Sequence, residues 1–177
     1  MTPFPPIKRW RLPRAACERT RKSVLPAGRR GNESGVFWAG RRQPTSTISA
    51  VIVPAGPGVV QAPDRWSVTP EGYAAVASWA KPRGLSLLAV VHTHPGILPP
   101  RLSRTDRMQG LKVPDALAVI IGRGGGEPDA NAWGWFVYDS GGYRELGDTE
   151  RAERLELVDD TIDFVTVTAA MPVEAEP

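Results

Sequence analysis

The chain has 177 residues, enough for one domain with a real core, and its 41% hydrophobic content is globular rather than disordered. A single cysteine, Cys17, excludes an internal disulfide and any multi-cysteine zinc site. The net charge of +3 is divided unevenly: residues 1–42 carry eleven Lys/Arg against Glu18 and Glu33, and residues 145–177 carry ten Asp/Glu against Arg151 and Arg154. No run approaches the roughly 18 apolar residues of a membrane span. Met1–Trp10 has no apolar secretory segment, so a cytoplasmic protein without a membrane role is expected.

In chain order, residues 1–12 are rich in proline and read as an arm. Pro13 suits the first turn of a helix running to Leu25, which Pro26 and Gly28 should end. Glu33–Gly40 and the β-branched Thr47–Val53 read as strands, the second closed by Pro54 and Gly56, and Trp66–Val68 as a short third. Thr69 is an N-cap candidate before Pro70, opening a helix to about Lys81. Ser86–Thr93 is a continuous apolar strand, as expected for one buried on both faces. Thr105–Gly110 reads as a helical turn, and Leu117–Ile121 and Ala132–Tyr138 as strands. Trp133 and Trp135 in the latter read as sheet packing. Gly124-Gly125-Gly126 lacks the Lys-Ser/Thr of a phosphate cradle and reads as a flexible connection. Tyr143–Leu146 is a hairpin partner, Asp148–Leu157 a short helix, Ile162–Thr168 a short strand and Met171–Pro177 a loose tail.

The two histidines of the chain, His92 and His94, stand two residues apart at the end of the apolar strand. Side chains at i and i+2 of a strand share a face, so this spacing sets two imidazoles side by side to share one metal ion. Asp106 follows twelve residues after His94 and can complete three protein ligands, leaving an open position for water, the catalytic pattern for zinc. Ser103-x-x-Asp106 is also a helix-start signature resembling a capping box, and both roles are compatible. Cys17 lies in an amphipathic pattern and reads as a small packing residue rather than a nucleophile. The basic segment at residues 8–30 offers charge to nucleic acid or an acidic protein face. No nucleic-acid motif accompanies it, and a solvated helix face is favoured.

Glu33-Ser34-Gly35 before a strand, then His92-Thr93-His94-Pro95, then Ser103-x-x-Asp106, resembles the JAMM (MPN+) zinc metalloproteases, especially their compact bacterial members. The resemblance covers roughly residues 13–147. It implies an α/β chain with a single-domain MPN (JAMM, cytidine-deaminase-like) fold, a curved mixed β-sheet flanked by helices. Residues 1–12 would be an N-terminal arm, 13–147 the catalytic domain, and 148–177 an acidic C-terminal extension and tail. Carried over, His92, His94 and Asp106 would bind one Zn2+ per chain. Glu33 would hold the attacking water as general base, and Ser103 would donate to the oxyanion.

Two departures stand out. The loop Pro95–Leu102 is one residue longer than is usual in the family, and Ser34 stands where members often carry Cys; that position reads as packing. Such relatives hydrolyse amide bonds, most often the isopeptide at the C-terminus of a ubiquitin-like protein. In bacteria they accompany ubiquitin-like proteins and their activating or conjugating enzymes, several in phage defence. The expected function is deconjugation or precursor maturation of a ubiquitin-like protein. The alternatives are release of a sulfur carrier or small-peptide hydrolysis and, in another class, a non-catalytic MPN scaffold.

Overall fold

Alternation of apolar residues along two central strands divides the core into two faces. In the computed structural model, which describes residues 4–96 and 100–168, Val36 and Trp38 point to one side of a sheet and Phe37 and Ala39 to the other. Strand β2 (Gly35–Gly40) carries these residues, and β6 (Ser86–Thr93) pairs antiparallel with it, its Val91 and Ala89 on the first side and Val90 on the second. Helix α1 (Arg14–Arg29) covers the first face with Ala16 and Val24; helix α2 (Pro70–Ala80) covers the second with Val76. α2 opens as expected, Thr69 Oγ1 accepting from the Gly72 N–H.

The remaining strands complete one curved mixed sheet between the helices. They are β1 (Arg9–Pro13), β3 (Thr45–Ala55), β7 (Leu117–Ile121), β8 (Gly134–Asp139), β9 (Gly142–Glu145), β10 (Leu155–Val158) and β11 (Asp163–Thr168). The order is β10-β1-β3-β2-β6-β7-β8-β9. β11 joins β3 on the same side as β1: β1 pairs with the first part of β3, and β11 with Ala50–Ala55. A separate hairpin, β4 (Val59–Ala62) with β5 (Arg65–Val68), lies on the α2 face through Trp66. Short helices α3 (Arg104–Gln109) and α4 (Asp148–Arg154) complete the fold. Among the described residues no helix is long and apolar enough to cross a membrane.

Several expectations are corrected. Residues 9–12, expected in an arm, lie in β1, and Ile7, Trp10 and Leu12 are core. Their place is fixed from the far end of the chain. β10 runs parallel beside β1, and Arg9, Arg11 and Arg14 meet Glu156, Asp159 and Asp160 at 3.3–3.9 Å. Part of the unequal charge of the two termini is thus matched within the molecule. Asp115 ties the same region: its Oδ2 accepts from the Ile7 N–H at 3.0 Å and its Oδ1 from Arg154 at 3.3 Å. The short helix expected to Leu157 ends at Arg154, because Leu155–Val158 is drawn into that pairing. β3 continues through Pro54, with β11 paired on either side at Thr166 with Val53 and Thr168 with Ala55. The expected tail Met171–Pro177 lies outside the described residues.

Helix α1 also runs past Pro26, to Arg29. The missing N–H costs one bond in the final turn, while Val24 and Ala27 are fully buried there. What they pack toward is the glycine segment expected to be flexible. Gly124 and Gly125 are buried, and a β-carbon on Gly28 would stand 1.7 Å from the Gly124 carbonyl oxygen. The run is a seat for the helix, and bare backbone on both sides is what lets them meet.

Candidate metal centre

Strand β6 is paired on both sides as far as His92, which meets Gly35 of β2 and Ile120 of β7. This extends Glu33, just before β2, toward the same sheet end as the histidines. The next polar element is α3, whose first turn carries a complete capping box. Ser103 Oγ accepts from the Asp106 N–H at 3.1 Å, and Asp106 Oδ2 accepts from the Ser103 N–H at 2.7 Å. The box fixes the Asp106 carboxylate before any ligand is considered. It also leaves the Ser103 hydroxyl proton free to donate, since that oxygen acts as acceptor within the box.

His92, His94 and Asp106 converge. The two Nε2 atoms are 3.1 Å apart, His92 Nε2 lies 3.0 Å from Asp106 Oδ1, and His94 Nε2 lies 3.2 Å from Oδ2. Ligand bonds of about 2.0–2.1 Å at tetrahedral angles put neighbouring donor atoms about 3.3 Å apart. The two imidazole nitrogens come within about 0.3 Å of that figure, and Asp106 presents a different oxygen to each of them at a similar distance. The donor set, two imidazoles and a carboxylate, is the kind zinc takes at sites that keep an open position. These residues therefore fit a bound divalent metal.

Glu33 faces the same point: one of its oxygens and a ring nitrogen of each histidine lie within 4.8 Å of one another. It is buried and held at both ends by the β4–β5 hairpin. Its N–H donates to the Ala62 carbonyl at 2.8 Å, and its Oε2 accepts from the Trp66 N–H at 3.1 Å. The Trp66 ring stacks on His92, with centroids 6.0 Å apart. Gly35 makes this possible, because a β-carbon there would stand 2.8 Å from the indole. His92 Nδ1 and Trp66 Nε1 find no acceptor in the described chain. Both residues line a cavity leaving about 20 Å³ for the centre of a water molecule, enough for one.

The electrostatics follow from burial and proximity. Burial holds the His92 imidazole below its ordinary pKa, in the neutral form that binds a metal. Burial also pulls on His94, but the hydrogen bond and charge of Asp106, with the charge of Glu33, outweigh it and raise its pKa. Burial would raise Asp106; hydrogen bonds from both histidines instead hold its carboxyl well below the usual range. Burial pushes Glu33 up to about 7, the charge of His94 opposing and that of Asp106 assisting. Cys17 is pushed up to about 12 by burial, so it is a packing thiol and not a nucleophile at neutral pH.

The structure thus brings Glu33, His92, His94 and Asp106 together and places Ser103 beside Asp106. Sequence reasoning missed Trp66, which lies 33 residues from the carboxylate it holds.

No protein-family model and no curated protein matches the chain. Solved structures do. A protein of Desulfitobacterium hafniense, known from its solution structure, has a TM-score of 0.63 at 20% identity, covering 86% of this chain and 94% of its own. That likeness shows a shared fold. More distant are a JAB1/MPN domain protein of Archaeoglobus fulgidus (TM-score 0.45, 14% identity, 85% of this chain and 98% of its own) and a protein of Salinibacter ruber (0.47, 16%, 94% and 94%).

Proposed function

We propose that the chain is a JAMM-type (MPN+) zinc peptidase in which His92, His94 and Asp106 hold one zinc ion. Glu33 is the general base and Ser103 the oxyanion donor. The observation that carries this reading is the convergence of His92 Nε2 and His94 Nε2, 3.1 Å apart, with one Asp106 oxygen at 3.0 Å from the first and the other at 3.2 Å from the second, and a second carboxylate, Glu33, facing them. Zinc, when bound, supplies a Lewis acid that polarises an amide carbonyl and makes water more acidic at neutral pH.

The rest is the work of side chains. Asp106 touches both imidazoles, whereas Glu33 has one oxygen committed to the Trp66 N–H and the other available to a water. Glu33 takes the proton of the attacking water and passes it to the leaving amine. Burial raises the Glu33 carboxyl in the metal-free protein, the direction that helps a carboxylate accept and hold a proton. Ser103, its oxygen anchored on the Asp106 N–H, turns its hydroxyl proton to the oxyanion, a contribution of about 3 kcal/mol in comparable sites.

The substrate we propose is the Gly-Gly-tailed C-terminus of a bacterial ubiquitin-like protein, joined to a lysine or to a short extension, with its activating or conjugating enzymes as partners. The support for this substrate is the motif Glu33, His92-Thr93-His94-Pro95 and Ser103-x-x-Asp106. The test is metal content of protein purified without chelator, beside His92→Ala, followed by cleavage of a Gly-Gly-linked extension by wild type and Glu33→Gln. One zinc per chain, lost in His92→Ala, with cleavage lost in Glu33→Gln, is the expected result. Zinc without any cleavage would favour a binding scaffold; no zinc even when it is offered would overturn the reading.

A further inference from the structure

Beyond the Gly35–His92 pair, the β2–β6 ladder reaches Ser34 and Thr93. In a regular antiparallel ladder such a pair exchanges two N–H···O=C bonds. Here only one is made. The Thr93 N–H donates to the Ser34 carbonyl at 2.9 Å, but the Ser34 N–H donates to Thr93 Oγ1 at 3.0 Å. The Thr93 side chain has taken the place of its own carbonyl. The same hydroxyl lies 3.4 Å from the Ser34 carbonyl, to which its proton points. Thr93 is fully buried and Ser34 nearly so, so neither group has water to fall back on.

The substitution sits at the junction that the proposed chemistry needs. Ser34 adjoins Glu33, and Thr93 joins His92 to His94. The next N–H on each chain faces the opposite neighbour, as strand alternation requires: that of His94 donates to Ile121 of β7 at 3.1 Å, and that of Glu33 to Ala62 of the hairpin at 2.8 Å. The hydroxyl holds the strands together at the last β2–β6 pair, directly beside Glu33 and both histidines. Ser34 Oγ in turn accepts from Gln61 Nε2 at 2.9 Å, linking the same residue to β4. The Thr93 methyl is fixed from the other side: a β-carbon on Gly125 would come within 3.2 Å of it.

We propose that Thr93 is a positioning residue, whose side-chain hydroxyl, standing in for its own carbonyl at the end of the β2–β6 ladder, holds Glu33 in place against His92 and His94. This rests on the reading of Glu33 as the base; the geometry it invokes is independent of any metal. Threonine does two things here that can be separated. Thr93→Val keeps both branches and removes the hydroxyl, leaving the buried Ser34 N–H without an acceptor. Thr93→Ser keeps the hydroxyl and removes the methyl.

The experiment uses the full chain labelled with 15N and 13C, with and without zinc. In Thr93→Val the Ser34 amide should exchange about 100-fold faster while the β7 amides keep their protection. The Glu33 side-chain carboxyl carbon should shift, and the zinc dissociation constant should stay within about threefold, because all three donor side chains remain. Thr93→Ser should restore both the Ser34 protection and the Glu33 signal. Faster exchange spread evenly over the sheet, or a Glu33 signal unmoved in Thr93→Val, would overturn the proposal. Failure of zinc to bind the wild type would instead overturn the metal reading, and the amide and carboxyl signals would still decide the placement of Glu33.

Discussion

Gly28→Ala offers a test in which two physical effects differ in sign. Gly28 lies next to the last residue of α1, and alanine is the better helix former by up to about 1 kcal/mol. Propensity alone therefore predicts a more stable protein. The packing predicts the reverse. The new β-carbon would stand 1.7 Å from the Gly124 oxygen, 2.5 Å from its carbonyl carbon and 2.9 Å from its Cα, all backbone atoms that no rotamer change can move. Restoring ordinary contact requires the helix end and the glycine segment to separate by about 1.5 Å, and overpacking of this kind costs about 1–3 kcal/mol. Setting that cost against the propensity gain, we expect a net loss of about 1 kcal/mol, or a fall in Tm of about 2–4 °C for a chain of this size. The displacement also reaches the metal centre, because the Gly124 N–H donates to the His94 carbonyl at 2.9 Å. Zinc affinity should drop about tenfold, in line with other supporting contacts behind a metal ligand. Urea unfolding and a zinc titration read both effects. Gly31→Ala is the control: nothing lies within 4 Å of its β-carbon, but its φ of +78° strains any side chain. It should cost about 1 kcal/mol and leave zinc binding alone. A Gly28→Ala protein as stable as wild type with unchanged zinc affinity would refute the packing argument.

Three further outcomes follow from the same geometry. Arg123 holds a φ of +56° between glycines, so Arg123→Gly should stabilise the protein by about 1 kcal/mol in chemical denaturation; a destabilised variant would show that the side chain holds the loop. In metal-free protein, the raised pKa of Glu33 means that wild-type stability falls as pH rises from the ordinary value of 4.5 to about 7 and then levels off. Glu33→Gln removes this, so its stability relative to wild type should grow by about 1–2 kcal/mol across that window, allowing for solvent screening; equal differences in urea midpoint at pH 5 and pH 8 would contradict the buried-carboxylate account. Asp106→Asn keeps an oxygen for the Ser103 N–H but loses the charge between the imidazoles. Zinc affinity should fall at least about 100-fold, removing about 2.7 kcal/mol of zinc-induced stabilisation measured by thermal unfolding; an affinity close to wild type would take Asp106 out of the ligand set.

What could be read locally was read closely. Ser86–Thr93 and Leu117–Ile121 are buried strands whose apolar runs mark their own ends, and both lie where the residues indicate. The His92-Thr93-His94 spacing and the Ser103–Asp106 box are likewise local, and the side chains meet as their spacing implies. The parts that escaped depend on distant partners. β1 and β10, RWRLP and LELV, alternate charged and apolar residues over a few positions, and each becomes a strand because the other supplies its pairing and counter-charges. The Gly124–Gly126 segment has the composition of a flexible loop. Its rigidity comes from α1, which its sequence does not announce. Trp66 is one aromatic in a short strand until the fold sets its N–H on Glu33 and its ring on His92.

The divided outer side of β3 has a consequence for how the chain reaches its native state. β1 and β11 complete that side from opposite ends of the sequence, and contacts sealing the same region, such as Arg154 to Ile7, join residues 147 apart. Closing the long stretch between β3 and β11 is entropically costly, so that pairing is expected to come late. Until it forms, Ala50–Val53 of β3 presents free N–H and C=O groups along an apolar edge that a second copy could occupy. Refolding yield should therefore depend on protein concentration, and the recovery of soluble protein is set by how quickly β11 claims its place.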